Sequence, residues 1–152
     1  MAGFLRMSKR THNPLPRDAM VNGIFQNPDE ILFENEFISV IINIYPIAPG
    51  SCMVIPKRDV TDMTDLTPWE AYALLAAVEK TAAVLETAYG LPCMTLKYHG
   101  SHTTQDQLHV HVMPTDVKYR DLYYEYKNIS TKKMSLAEIS TFKQKFSPLI
   151  AK

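Results

Sequence analysis

Gln107-Leu108-His109-Val110-His111-Val112-Met113-Pro114 is the stretch that decides how this chain is read. Leu108, Val110 and Val112 alternate with Gln107, His109 and His111. A period of two predicts a strand with its apolar residues on one face and an amide and two imidazoles on the other. Two readings of that polar face are open. Its histidines can simply face water, or they can do chemistry, since imidazole is the side-chain base and nucleophile that works at neutral pH. Residues two apart on a strand stand about 7 Å apart. That spacing suits contact with successive atoms of one ligand, such as a phosphorus and its leaving oxygen. It also suits half of a tetrahedral zinc site, with His99 and His102 of the preceding loop as further ligands. No carboxylate or cysteine cluster has ligand spacing, so the expectation is that no metal is bound.

Outward from this strand, the chain reads as alternating short β segments and two capped helices. Ile31-Leu32-Phe33 and Phe37 to Asn43 are β-branched or aromatic runs joined by the polar turn Glu34-Asn35-Glu36, a pattern that predicts an antiparallel hairpin. Tyr45-Pro46-Ile47-Ala48-Pro49-Gly50 is a stiff connection into a third strand, Ser51 to Lys57, with Pro56 suited to its exit. Thr67-Pro68-Trp69-Glu70 carries an N-cap, a proline at the first helical position and a capping-box glutamate. Apolar residues recur at Leu74, Val78, Leu85 and Tyr89, and Gly90 fits the C-terminal cap. The alanine-rich, aromatic face of this helix is read as core. Leu91 to Tyr98 returns to strand, and His99 to Asp106 is a polar loop. Ser135 and Glu138 form a second capping box, opening a helix that reaches about Phe146.

The chain has 152 residues, enough for one domain with its own core. Sixteen basic and sixteen acidic residues cancel, so no global field draws in nucleic acid or an anionic membrane. Tyr119, Tyr123, Tyr124 and Tyr126 interleave with Lys118, Arg120 and Lys127. That stretch resembles a base-stacking platform, but it is read as an arm packed on the domain or on a partner subunit. Cys52 and Cys93 have neither CxxC spacing nor a secretory context, so they are read as reduced core thiols of a cytoplasmic protein. The basic residues among the first seventeen weakly resemble a mitochondrial presequence. A flexible basic tail over residues 1–20 is the reading preferred here. No apolar run has membrane-spanning length.

Taken in order, Ile24-Phe25, Asn43 to Lys57 (NIYPIAPGSCMVIPK), the capped helix and QLHVHVMP resemble the histidine triad superfamily. The likeness runs from about Gly23 to Asp116. It implies an α+β fold, a five-stranded antiparallel sheet with one long helix packed on it, here followed by a C-terminal helix. The domain then spans residues 21–116, and residues 117–152 hold the Tyr-rich arm and that last helix. The resemblance implies a homodimer that binds a small nucleotide and hydrolyses or transfers nucleoside monophosphate groups. Dinucleoside polyphosphates and nucleoside phosphoramidates are the substrate classes implied. No cofactor is required, although a divalent ion can accompany a polyphosphate.

The family pattern is His-φ-His-φ-His-φ-φ, where φ is apolar. With Pro114 matched to the proline that follows the triad in many members, Gln107 replaces the first histidine, His109 is the middle one and His111 the last. The alternative register makes His109 first and puts Met113 in the third place, but it also sets Pro114 and Thr115 where apolar strand residues belong. In the first register the resemblance makes His109 the nucleophile toward the α-phosphorus, with His111 beside the leaving oxygen and Gln107 completing the catalytic set. Thr104 matches a phosphate-binding hydroxyl and Asn43 a ribose-binding side chain. Ile24, Phe25 and Ile44 match the apolar pocket around the base, and plain core is the competing reading for these three. Ser51 stands where many members have histidine after the Pro-Gly turn.

Overall fold

A computed structural model describes residues 27–98, 107–118, 121 and 132–152. The basic tail, the loop from His99 to Asp106 and most of the Tyr-rich arm lie outside these residues. Five strands and two helices follow in the order β1 (Ile31–Glu34), β2 (Ile38–Ile42), β3 (Cys52–Pro56), α1 (Pro68–Tyr89), β4 (Cys93–Tyr98), β5 (His109–Pro114) and α2 (Leu136–Ile150). The sheet order is β1-β2-β3-β5-β4, and every neighbouring pair is antiparallel. This is the five-stranded α+β architecture expected from the sequence.

Local chemistry sets the corners. In the β1–β2 turn the Asn35 side-chain oxygen accepts from the backbone N–H groups of Phe37 and Ile38, an Asx-type turn that closes the hairpin. Before β3, Gly50 adopts φ +89, and a Cβ built there would meet the Tyr89 ring at 2.5 Å. Glycine alone satisfies both the left-handed backbone and the close approach of α1. Thr67 and Glu70 complete the capping box of α1, and Gly90 caps its other end at φ +66.

The two faces of the sheet do different work. Ile38, Val40, Ile42, Cys52, Val54, Val110 and Val112 point toward the helices. They form the main core with Leu74, Ala77 and Leu85 of α1 and Ile139, Phe142, Phe146 and Ile150 of α2. Ile41 and Ile55 occupy the opposite face with Met53, and Met113 sits there with Ala48, Met94 and Leu96. His109 and His111 belong to this second face by strand alternation.

One expectation needs correcting, the end of the second helix. On α1, Trp69 and Tyr72 are each 72% exposed. The buried residues of α1 are Glu70, Leu74, Ala77, Thr81 and Leu85, and Tyr72 lies about 200° around the helix from Leu74. The second helix continues past Phe146 to Ile150, with Pro148 inside it. Phe146 is 1% and Ile150 4% exposed. Burying Ile150 one turn beyond Phe146 offsets the single hydrogen bond lost at Pro148. Cys52 is buried and Cys93 half-buried, and both are unbridged thiols. Burial is the main reason both resist ionisation, with Cys93 pushed up to about 11.

Candidate active site

β5 carries the site and is flanked on both sides. Met53 of β3 and Leu96 of β4 stand opposite His111, while Tyr98 of β4 pairs with His109. Pro114 closes the strand opposite Cys93. The His109 and His111 rings lie edge to face with centroids 5.1 Å apart. They converge more closely than the strand rise alone requires.

His109 is 5% exposed, and its Nδ1 donates to the carbonyl oxygen of Gln107 at 2.8 Å. A carbonyl can only accept, so the neutral ring making this bond carries its proton on Nδ1 and its lone pair on Nε2. Burial lowers the pKa of His109 below the usual imidazole range, partly opposed by the bond to Gln107. His111 falls further, to about 4, mainly through burial and secondarily through the neighbouring His109. Both rings are therefore neutral at pH 7, the state in which an imidazole nitrogen can attack.

This pair also makes a stability prediction. A histidine whose folded pKa lies below its unfolded value leaves the unfolded chain binding more protons in between, so stability falls as the pH drops through that interval. For His111 the interval runs from 6.5 down to about 4, and its full extent corresponds to roughly 3 kcal/mol. Urea unfolding at pH 7.5 and at pH 4.5 should show a large part of this loss, and His111→Asn should flatten it. An unchanged acid limb in His111→Asn would assign the loss to other groups.

The remaining expected site residues are distributed as follows. Asn43 follows β2 and is 9% exposed; its Oδ1 accepts from the Tyr45 N–H at 3.1 Å, and its donor is Nδ2. Ile44 packs against the main core shared with the helices, in keeping with the core reading. Ile24, Phe25 and Thr104 lie outside the described residues, as do His99 and His102. Ser51 turns its hydroxyl to the Ala48 carbonyl. No group of three or more His, Cys, Asp or Glu that could hold a metal occurs among the described residues.

An ion pair that the sequence does not signal joins the segment after β3 to the first turn of α1. Arg58 Nε and Nη2 donate to Glu70 at 2.7 and 2.8 Å, and Nη2 also donates to the Asp65 carbonyl at 2.6 Å. Burial alone would raise the Glu70 pKa; the hydrogen bonds from Arg58 and from the N-cap Thr67 outweigh it and hold the carboxyl below its usual value. Twelve residues separate the partners, so no local spacing signals the pair.

A helix-backed antiparallel sheet thus presents a neutral, backbone-oriented histidine beside a second histidine. The chain belongs to the HIT domain family, whose family model matches residues 25–118. It is 29% identical over 101 residues to the asymmetrical bis(5'-nucleosyl)-tetraphosphatase of Schizosaccharomyces pombe, covering 62% of this chain and 56% of that protein. It is 30% identical over 88 residues to an AP-4-A phosphorylase of Mycobacterium tuberculosis, covering 55% and 45% respectively. The chain thus spans about half the length of the curated relatives it matches. A Hit-like protein from Bartonella henselae superposes with a TM-score of 0.65 at 18% identity, over 79% of this chain and 85% of that one. That likeness shows the fold. Among the described residues, no helix is long and apolar enough to cross a membrane.

Proposed function

We propose that the protein cleaves a phosphorus–oxygen or phosphorus–nitrogen bond at the α-phosphate of a small nucleotide, by way of a nucleotidyl-histidine intermediate on His109. The observation that carries the reading is the Nδ1 bond of His109 to the Gln107 carbonyl, which directs the lone pair to Nε2. In the first step the Nε2–phosphorus bond forms as the bond to the leaving group breaks. Water then attacks phosphorus, the phosphorus–nitrogen bond breaks, and the nucleoside monophosphate departs with His109 restored. His111, neutral at rest, donates a hydrogen bond to an α-phosphate or bridging oxygen and helps the leaving group depart. Asn43 donates to a ribose hydroxyl through Nδ2. This chemistry needs no cofactor, and a divalent ion enters only as a companion of a polyphosphate substrate.

Dinucleoside polyphosphates head the substrate classes, in line with the names of the Schizosaccharomyces pombe and Mycobacterium tuberculosis relatives. Nucleoside phosphoramidates are the second class. A homodimer forms part of the reading, and the exposed Trp69, Tyr72 and Leu75 of α1 supply apolar surface for it. The test is incubation of the full chain with diadenosine tetraphosphate and, separately, with an adenylyl phosphoramidate. Product release and an acid-labile adenylyl adduct are expected with at least one. Tight binding of both without product or adduct would replace this reading with that of a nucleotide-binding regulatory protein.

A further inference from the structure

We infer that Gln107 is the positioning residue of the nucleophile, acting through its side-chain amide on the orientation of His109. The inference rests on the proposed role of His109 and starts from an irregularity in the sheet. Val54 of β3 pairs with Val110 of β5, yet the next bond across that seam joins the Leu108 N–H to the Val60 carbonyl at 2.8 Å. Residues 55–59 therefore stand opposite His109, and the regular ladder is interrupted where the nucleophile sits.

The Gln107 side chain spans this interruption. Its Nε2 donates to the Pro56 carbonyl at 3.0 Å and to the Arg58 carbonyl at 3.1 Å, using both amide protons. The orientation of the amide is fixed by chemistry, because the reverse flip would set Oε1 against two carbonyl oxygens. Oε1 is buried and accepts no hydrogen bond from the described residues. The anchor is itself held: Arg58, whose carbonyl receives one of these bonds, is clamped through its guanidinium by Glu70 and the Asp65 carbonyl.

A chain of contacts thus runs from the N-terminus of α1 to the reacting ring. Glu70 fixes Arg58, the Arg58 and Pro56 carbonyls fix the Gln107 amide, and the Gln107 carbonyl fixes His109 Nδ1. Gln107 sends both donors into backbone and none toward the His109 ring, so it is not a catalytic residue in the sense of touching substrate. An amide at this position is also unaffected by pH, and its two donors match the two carbonyls. A carboxylate of the same shape would oppose them.

The test uses the full chain, labelled with nitrogen-15 at histidine, as wild type and as Gln107→Met and Gln107→Glu. The His109 ring nitrogens of the wild type should report a single tautomer protonated on Nδ1. In both variants that tautomer should give way to a mixture, while kcat falls about 10- to 100-fold, as for a slightly misplaced reacting group, and KM stays within about threefold. A fully active wild type whose Gln107 variants keep both kcat and the tautomer would overturn the inference. A wild type without turnover or adduct would overturn the functional reading instead, and the tautomer comparison would still decide the positioning role. One measurement needs no variant. The Gln107 side-chain amide protons should exchange with solvent at least about 100-fold more slowly than those of an exposed glutamine, and exchange at the exposed rate would also overturn the inference.

Discussion

His109→Ala should abolish turnover, with kcat falling on the order of 10⁴-fold or more, and should remove the acid-labile adduct while nucleotide binding changes only a few-fold. The expected size follows from the role. A group that forms the covalent intermediate acts in every transition state along the path, whereas binding is spread over contacts that the variant leaves in place. His109 owes its position to the strand backbone, through the 2.8 Å bond from Nδ1 to the Gln107 carbonyl, and truncating it leaves the β3 and β4 ladders intact. His111→Ala should cost less, about 10²- to 10⁴-fold, because a donor to the leaving oxygen assists the displacement without being its nucleophile. Rates measured with both variants, alongside mass spectrometry of the acid-quenched enzyme, separate the roles. Full activity in His109→Ala with loss in His111→Ala would move the nucleophile two residues along β5 and select the alternative register.

The parts of this site that the sequence announced are those with a local cause. Alternation along β5 puts His109 and His111 on one face whatever the rest of the chain does, and both capping boxes are complete within four residues. The hairpin from Ile31 to Ile42 closes on its own asparagine. What sequence spacing does not encode is the contact between distant segments. Gln107 reaches carbonyls 51 and 49 residues away, and it lies on an irregular stretch of backbone that no pattern of side chains predicts. Read from the motif alone, Gln107 is a histidine that has been lost. Its hydrogen bonds describe an amide with work of its own.

The two helices show the same division between local and tertiary causes. Thr67, Glu70 and Gly90 mark the ends of α1 correctly because caps are short-range devices. Trp69 and Tyr72 stay exposed on α1, because angular position around a helix decides burial more than an apolar side-chain type does. Pro148 would stop a helix on propensity, but Ile150 is drawn into the core one turn beyond Phe146, and packing prevails over propensity.

Glu70→Ala should be the most destabilising of the polar substitutions outside the histidine pair, costing about 3 to 5 kcal/mol. The Arg58 and Glu70 side chains are only 15% and 9% exposed. Removing the carboxylate strands a half-buried guanidinium and opens the capping box, in which Glu70 also accepts from the Thr67 N–H at 2.8 Å. The matched control is Glu34→Ala. Glu34 pairs with Lys57 at 3.0 Å but is 52% exposed at the side chain, and such a surface pair is worth less than about 1 kcal/mol. Thermal unfolding should therefore separate the two variants by on the order of 10 °C in Tm. Equal small losses would mean that water reaches the Arg58 guanidinium and that the clamp contributes little. The pH dependence gives an independent check on sign. Glu70 has a depressed pKa, so its contribution is present above the ordinary carboxylate value of 4.5 and is lost only on acidification below it. The histidine pair loses its contribution earlier, from 6.5 downward. Glu70→Ala should accordingly lower the whole stability curve above pH 5 by a constant amount and leave the histidine-linked slope between pH 6.5 and 5 unchanged. A change in that slope would mean instead that the clamp on Arg58 reaches His111 electrostatically, and would tie the acid stability of the fold to the same chain of contacts that orients His109.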